Sequence, residues 1–140
     1  MNDNVVARWL SELDIDGMYD APGYLKPWYF MLRTFEEIAR SKRYERPVTI
    51  MSIGVDVGGV ASLEEWLSTR LRATDLLCRD AVMQYFVLLP ETTEDSASDI
   101  ARRLSTQVSG ASVKVASLPA EADRFAELVD WIVVDSRKAA

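Results

Sequence analysis

Two strand-like runs separated by only a few residues constrain the fold of this chain most strongly. Residues 72–90 read RATDLLCRDAVMQYFVLLP, in which 76–79 and 83–89 are apolar and aromatic runs of strand length. A connection this short joins antiparallel neighbours, so the two runs predict a β-hairpin. The turn at 80–82 reads Asp-Ala-Val, whereas tight hairpin turns favour Asn-Gly or Gly-Gly. The hairpin therefore lacks the residues that its turn would normally use.

Helical and strand periodicities alternate on either side of this hairpin. The predicted elements are a helix over 3–13, a turn-rich connector over 14–24, a helix beginning near Pro27, a strand over 48–55, a helix from a capping box at Ser62 to about Arg72, the hairpin, a helix capped by Thr93, a strand over 112–118 and a helix over 122–138. A strand hairpin placed between βα units implies a βαββαβ mixed sheet flanked by helices. The fold class is therefore α/β (α+β), with an extra N-terminal helix.

Two of the predicted helices carry apolar stripes that need a partner surface. The stripe of the second helix includes Trp28, Met31 and Phe35, which we expect to face the core. Residues 1–13 are expected to form an N-terminal amphipathic helix that packs on its own domain or on a second copy, and 14–140 a single domain. The apolar face of the N-terminal helix is formed by Val6, Trp9, Leu10 and Leu13.

Composition excludes several classes of protein. The 140 residues carry 22 acidic against 16 basic side chains, a net charge of −6, which argues against nucleic acid or an anionic membrane as the main partner. Histidine is absent, so His-based triads and zinc sites are excluded. Cys78 stands alone in a strand-like run, and no stretch of 18 apolar residues occurs. We therefore expect a cytoplasmic protein without a membrane partner.

The residues around the hairpin follow an ordered series of motifs. Arg72-x-x-Asp75 precedes five residues, a five-residue slot at 81–85 and the strand sequence FVLLPET at 86–92. Upstream, 41–56 reads SKRYERPVTIMSIGVD. With these motifs in this order over nearly its whole length, the chain resembles the GGDEF domains, the bacterial family that makes cyclic di-GMP from two GTP molecules.

The resemblance places the family's metal-ligating carboxylates at positions 54 and 84, which here are Gly54 and Gln84. Asp56 is retained, but a hard cation demands several oxygen ligands. The resemblance thus implies a degenerate domain that is not an enzyme, with no metal site and no cofactor. The degenerate signature slot holds Ala81, Val82, Met83, Gln84 and Tyr85, an apolar patch that is either buried or a docking surface.

The family's guanine-holding helix is also shortened. Only fifteen residues separate Asp56 from Arg72, where the family has a longer segment. Gly58-Gly59 indicates a plain strand-to-helix turn, because no Gly-Lys-Ser/Thr follows it. Downstream, 129–137 reads VDWIVVDSR, and its Arg137 aligns with a phosphate-holding lysine of the family.

The retained Arg72 and Asp75 match the family's inhibitory site, which binds cyclic di-GMP. An arginine fork can donate to guanine O6 and N7, and a carboxylate can accept from guanine N1 and N2. Arg79 is a candidate second guanidinium for the same ligand. The structural alternative is a local ion pair, or a turn capped by Asp75.

Two functions are consistent with these residues. The first is a non-catalytic effector that binds cyclic di-GMP at the Arg-x-x-Asp site and relays the signal to a protein partner. The second is a nucleotide-independent interaction or dimerisation module that kept only the fold. An unrelated βαββαβ protein is a further alternative, favoured if residues 76–89 form no hairpin.

Overall fold

The computed structural model of the chain describes residues 19–21, 23–79 and 83–139. No helix in this part of the chain combines the length and apolarity needed to cross a membrane. The predicted helix over 3–13 and the turn at 80–82 lie outside the described residues. In chain order the elements are β1 (Tyr19–Ala21), β2 (Tyr24–Leu25), α1 (Pro27–Tyr44), β3 (Val48–Gly54), a 3-10 turn (Val57–Gly59), α2 (Val60–Arg70), β4 (Leu76–Arg79), β5 (Gln84–Pro90), α3 (Glu94–Gln107), β6 (Ser112–Leu118) and α4 (Ala122–Ala139).

The strands form one six-stranded sheet in the order β1-β2-β4-β5-β3-β6. β4 and β5 pair antiparallel, so the predicted hairpin is confirmed. β3 pairs antiparallel with β5 on one side and with β6 on the other. β2 runs parallel to β4, which makes the sheet mixed. The βαββαβ fold class predicted from the sequence is thereby confirmed.

The central strand β3 is buried on both faces, because helices cover both sides of the sheet. Successive strand side chains point to opposite faces. Val48 and Ile50 therefore join the core beneath α1 and α4. Met51 and Ile53 join the core beneath α2 and α3. This two-sided burial explains why the sequence of β3 is a continuous apolar run rather than an alternating one.

The predicted connector over 14–24 contains two short strands rather than turns alone. Gly23, with a φ of 86°, lies between β1 and β2 and adopts a conformation that side chains disfavour. Leu25 of β2 pairs with Cys78 of β4, which is distant in sequence. A two-residue strand shows no periodicity of its own, so the sequence pattern could not reveal it.

Helix α2 begins earlier than the sequence predicts. Its first residue is Val60, and the N-cap residue Gly59 makes no side-chain capping bond. Ser62 therefore lies inside the first turn, and the capping-box prediction is wrong. The amide of Gly59 donates to the carbonyl of Asp56 at 2.8 Å, so the glycine pair forms the strand-to-helix turn that the sequence indicates.

Helix α1 carries more apolar surface than the sheet can cover. Phe30 and Met31 are buried in the core beneath it. Trp28, Leu32 and Phe35, at spacing i, i+4 and i+7, are 44%, 48% and 54% exposed. The prediction that Trp28 and Phe35 face the core is wrong, because only one face of a helix can lie against the sheet.

The N-cap of α3 is confirmed as predicted. The Thr93 hydroxyl accepts a hydrogen bond from the amide of Ser96 at 3.3 Å, and Glu94 and Asp95 occupy the first turn. These acidic residues stabilise the helix, because their negative charges lie at the positive end of the helix dipole.

We predict that Thr93→Ala lowers the free energy of unfolding by about 1 kcal/mol, because it leaves a helix-terminal amide without its acceptor. The matched control is Thr106→Ala in the same helix, since the exposed Thr106 hydroxyl only donates to the Arg102 carbonyl. Urea denaturation measures both variants. Equal destabilisation by the two substitutions would contradict the capping role.

Candidate functional site

The positions where the resemblance expects metal-ligating carboxylates lie side by side in the sheet. Gly54 of β3 pairs directly with Gln84 of β5. The Gln84 amide donates to the Ser52 hydroxyl at 2.8 Å, and a Cβ added at Gly54 would lie 3.6 Å from Gln84 Oε1. A neutral amide and a hydroxyl thus satisfy each other at this point. Across the described ranges, no group of three or more His, Cys, Asp or Glu side chains could hold a metal ion.

Asp56 is an exposed carboxylate just beyond the end of β3. It lies against the loop between α3 and β6, since a Cβ added at Gly110 would lie 2.9 Å from Asp56 Oδ2. Gly110 has a φ of 79°, a conformation that favours glycine.

Met83 and Tyr85, in the described part of the signature slot, form hydrogen bonds to the end of β3 and to α2. The Met83 carbonyl accepts from the amide of Val55 at 3.1 Å, and Met83 itself has a φ of 71°, unusual for a side-chain-bearing residue. Tyr85 is buried, and its hydroxyl donates to Glu64 Oε2 at 2.6 Å. Ala81 and Val82 lie outside the described residues.

Tyr85 belongs to a cluster with Tyr24, Glu64 and Arg79. The two tyrosine rings are 6.2 Å apart, and the Arg79 guanidinium lies 4.7 Å from the centre of the Tyr24 ring and 3.5 Å from Glu64. Burial and the neighbouring Glu64 carboxylate raise the pKa of Tyr85 above its ordinary range. The same two causes raise the pKa of Tyr24 to about 12. Both phenols therefore keep their protons in the folded chain.

Arg72 and Asp75 form a compact pair at the loop between α2 and β4. The Arg72 amide donates to Asp75 Oδ2 at 2.8 Å, and its Nη2 atom donates to Oδ1 at 3.0 Å. Arg72 Nη2 also donates to the Pro90 carbonyl at 2.8 Å and to Thr92 Oγ1 at 2.9 Å. The Asp75 side chain is 3% exposed and that of Arg72 is 52% exposed. Asp75 thus holds Arg72, whose guanidinium faces solvent.

A cleft of about 300 Å³ opens beside this pair, between α2 and α3. Arg72 and Asp75 form part of its lining, and Arg70 and Arg103 add two further guanidinium groups. Trp66 forms an apolar wall, with its indole N–H donating to Gln107 at 2.7 Å. Trp66 is buried and the Arg70 guanidinium lies 5.5 Å from its ring centre, so the cleft offers mainly cationic groups to a ligand.

Sequence reasoning did not identify Arg70 or Arg103. Arg103 lies one helical turn after Ile100, which lines the same cleft, so its i+3 spacing is the signal that could have located it. Its side chain is 61% exposed and pairs with Asp99 at 3.1 Å. The position of Arg103 on its helix face could not indicate that it would lie beside the loop that carries Arg72.

Arg72 also lines a second cleft, of about 230 Å³, at the start of β3. Arg33, Arg40 and Arg46 contribute to it, together with Glu37 and Glu91. The rim around Arg72 is thus rich in arginine although the whole chain carries a charge of −6. Arg33, Arg40 and Arg46 each pair with a glutamate (Glu36, Glu37 and Glu91, respectively), and these carboxylates offset much of the positive charge of the second cleft.

Arg79 is not brought together with Arg72. Arg79 lies at the C-terminal end of β4, whereas Asp75 precedes its N-terminal end. Four residues of extended chain separate Asp75 from Arg79 by about 13 Å. Arg79 contacts Glu64 and Tyr24 instead, so it shares no cleft with the other two predicted ligand-binding residues in the described structure.

We predict that Tyr85→Phe lowers the free energy of unfolding by about 1–2 kcal/mol near pH 8, because the half-buried Glu64 loses its phenolic donor. A phenol with a raised pKa stabilises the fold fully below its unfolded pKa of about 10, and this stabilisation is lost as the pH rises through the folded value. The variant should therefore lose less stability than the parent chain between pH 8 and about pH 11. Tyr44→Phe, at a 57% exposed site, is the matched control in urea denaturation at both pH values. An unchanged alkaline slope in Tyr85→Phe would contradict this prediction.

Comparisons with protein-family models and with curated proteins give no match to this sequence. Solved structures do match it. The GGDEF domain of TpbB (YfiN) from Pseudomonas aeruginosa superposes with a TM-score of 0.65 at 16% identity, covering 87% of this chain and 90% of that one. The GGDEF domain of DgcB from Caulobacter crescentus, solved in complex with c-di-GMP, gives 0.64 at 10% identity, covering 87% and 89%.

A third match is the diguanylate cyclase SiaD from Pseudomonas aeruginosa, solved in complex with its activator SiaC. It gives a TM-score of 0.60 at 15% identity, covering 98% of this chain and 67% of that one. At these identities the likeness is one of fold. The chain therefore has the fold of a GGDEF domain.

Proposed function

We propose that this chain is a non-catalytic signalling domain that binds cyclic di-GMP in the cleft beside Arg72 and relays binding to a protein partner. The observation that carries the proposal is the half-exposed Arg72 guanidinium, held by Asp75 at the mouth of a cleft that Arg70 and Arg103 also line. The phosphodiester groups and the guanine edges of cyclic di-GMP match the guanidinium groups of this cleft.

The hydrogen bonds of Arg72 define which part of it can meet a ligand. Its bonds to Asp75, Pro90 and Thr92 use the Nε and Nη2 atoms. The planar guanidinium face and the Nη1 edge are then the parts that a guanine can stack on or accept from. Asp75 acts as a positioning residue in this arrangement, because both of its oxygens already accept from Arg72.

Two of the similar structures support the proposal at the level of the fold. The DgcB domain was solved with c-di-GMP, and SiaD was solved with a protein activator. GGDEF-fold proteins therefore include both kinds of complex that the proposal requires. One fold can host many functions, so the residues of this chain carry the specific assignment.

The absence of catalysis is part of the proposal. Condensing GTP requires divalent cations that stabilise charge on the reacting phosphates, and carboxylates must hold them. Gly54 and Gln84 supply no carboxylate at the paired strand positions, and their neighbour Ser52 bonds the Gln84 amide. Asp56 would then have to serve in place of both carboxylates that the resemblance expects at positions 54 and 84.

A second candidate function is a nucleotide-independent interaction module. It is favoured by the completeness of the Arg72–Asp75 pair, whose carboxylate is 3% exposed and satisfied without any ligand. On that account the pair stabilises the α2–β4 loop and the fold alone is used. Titration with the nucleotide distinguishes the two candidates.

We predict that calorimetric titration gives micromolar binding of cyclic di-GMP, weakening with added salt as expected for phosphate contacts. Arg72→Ala and Arg103→Ala should each weaken binding at least about 10-fold, or about 1.4 kcal/mol, because each removes a guanidinium from the cleft. Arg102→Ala is the matched control, since Arg102 follows the same helix and also pairs with Asp99 but lies outside that lining. No heat at millimolar nucleotide would leave the interaction module as the function.

We also predict that the purified chain forms no cyclic di-GMP from GTP with Mg²⁺ or Mn²⁺, since its paired strand positions carry no carboxylate. Chromatography of the reaction mixture measures the product, with an active diguanylate cyclase as the positive control. Metal-dependent product that disappears in Asp56→Asn would overturn the non-catalytic assignment.

A further inference from the structure

We propose that two buried hydroxyl groups, those of Thr49 and Ser117, position the Arg72 guanidinium by fixing Thr92. The two residues, which we call the hydroxyl pair, are 0% and 1% exposed. Neither of them lines the cleft beside Arg72, whereas Thr92 does. The proposal rests on the proposed function for its consequence in nucleotide binding, but it can be tested without a ligand.

The hydroxyl pair links two neighbouring strands to the loop that follows β5. Thr49 of β3 lies directly opposite Ser117 of β6, and their hydroxyl oxygens are 2.6 Å apart. The Thr49 hydroxyl also donates to the Thr92 carbonyl at 2.9 Å. A hydroxyl has one hydrogen and a carbonyl can only accept, so the Thr49 hydrogen points to Thr92. Ser117 is therefore the donor to Thr49, and the bonds run in one direction from β6 to Thr92.

Both members of the hydroxyl pair have little freedom to move. Thr49 lies in β3, which pairs with a strand on each side. The Ser117 amide donates to Glu121 Oε1 at 3.2 Å, and the Ser117 carbonyl accepts from the Glu121 amide at 2.7 Å. A buried hydroxyl costs free energy unless it is hydrogen-bonded, so both groups are confined to this geometry. The Thr49 hydroxyl is thus a fixed donor for the Thr92 carbonyl.

Thr92 connects the hydroxyl pair to Arg72. Thr92 is 5% exposed, and its hydroxyl accepts from Arg72 Nη2 at 2.9 Å. The same hydroxyl donates to the Pro90 carbonyl at 3.2 Å, and that carbonyl accepts from Arg72 Nη2 at 2.8 Å. Thr92 lies beyond the end of β5 at Pro90, so the hydrogen bonds between paired strands do not fix it. The bond from Thr49 holds its carbonyl instead.

The position of the Thr92 hydroxyl affects how the Arg72 guanidinium is oriented. Arg72 Nη2 has two hydrogens, but oxygens of Asp75, Pro90 and Thr92 lie 2.8 to 3.0 Å from it. One hydrogen is therefore shared between two acceptors. Asp75 also accepts from Arg72 Nε, so it restrains the near side of the guanidinium. Thr92 and Pro90 restrain the far side, and that restraint depends on where the Thr92 hydroxyl lies.

NMR spectroscopy of the arginine side-chain nitrogens tests this positioning in the full chain without a ligand. Arg72→Ala assigns the Arg72 signals, and in the parent chain we expect slow exchange of the two Nη2 hydrogens. Thr49→Val keeps the shape of the side chain but removes its hydroxyl. It should accelerate that exchange about 3- to 10-fold, the range expected for the loss of one hydrogen bond. Thr49→Ser retains the hydroxyl and should leave the exchange rate unchanged.

Thr34→Val is the matched control for a buried hydroxyl elsewhere in the core. Thr34 is also 0% exposed, and its hydroxyl donates to the Phe30 carbonyl at 2.8 Å within α1. This substitution should not alter the Arg72 exchange rate. Ser117→Ala removes the donor to Thr49 with little change in volume, and it decides the question if Thr49→Val does not fold. It should also accelerate the exchange.

Several results of the NMR experiment would overturn the proposal. Fast exchange of the Nη2 hydrogens in the parent chain would show that the guanidinium is not held. An unchanged rate in folded Thr49→Val, or in Ser117→Ala, would show that the hydroxyl pair does not act on Arg72. Equal acceleration by Thr34→Val or by Thr49→Ser would show a general effect of loosening the core.

Calorimetric titration with cyclic di-GMP separates this proposal from the proposed function. If the parent chain binds the nucleotide, Thr49→Val should weaken binding about 3- to 10-fold, and Thr34→Val should leave it unchanged. If the parent chain does not bind, the proposed function fails, and the Arg72 exchange rates still decide whether the hydroxyl pair positions the guanidinium. Equal affinity in the parent chain and in Thr49→Val would overturn the positioning role and leave the proposed function standing.

Discussion

The antiparallel pairing of β3 with β5 is the interaction on which the other features of this molecule depend. It runs over seven residue pairs, from Val48 opposite Pro90 to Gly54 opposite Gln84. Because β3 and β5 are buried on both faces, their side chains supply both cores, and helices must cover both sides. The same register determines which residues lie at the two ends of the paired strands. One end carries the neutral Gly54–Gln84 pair, and the other carries the Pro90 carbonyl that Arg72 binds.

The elements with long, regular patterns could be predicted from the sequence. The hairpin, the strand at 112–118 and the Thr93 cap follow from local residue preferences and are confirmed. The strands at Tyr19–Ala21 and Tyr24–Leu25 could not be predicted, because the second pairs with distant Cys78 and the first pairs with the second. The exposure of Trp28 and Phe35 was missed for a related reason. Helical periodicity gives the apolar width of α1 but not how much of it the sheet covers.

The candidate site also contains features that the sequence could predict and others that it could not. Arg72 and Asp75 are near in sequence, so their pairing could be anticipated as the simple alternative of a local ion pair, whereas their role in ligand binding stays a prediction. Arg103 joins the cleft only through the packing of α3, which no local pattern encodes. The position of Arg79 in the sequence predicts that it shares a ligand with Arg72. The extended backbone of β4 instead separates them to opposite ends of the strand.

The buried carboxylate of Asp75 has a consequence for the energetics of Arg72. A free arginine side chain has about 2 kcal/mol of rotamer entropy, which is ordinarily lost when a ligand orders the side chain. Here the bonds to Asp75 and Pro90 restrict that side chain when the chain folds. A ligand that binds the guanidinium therefore contacts a side chain that is already ordered. The entropy cost of ordering Arg72 is incurred during folding and not during ligand binding.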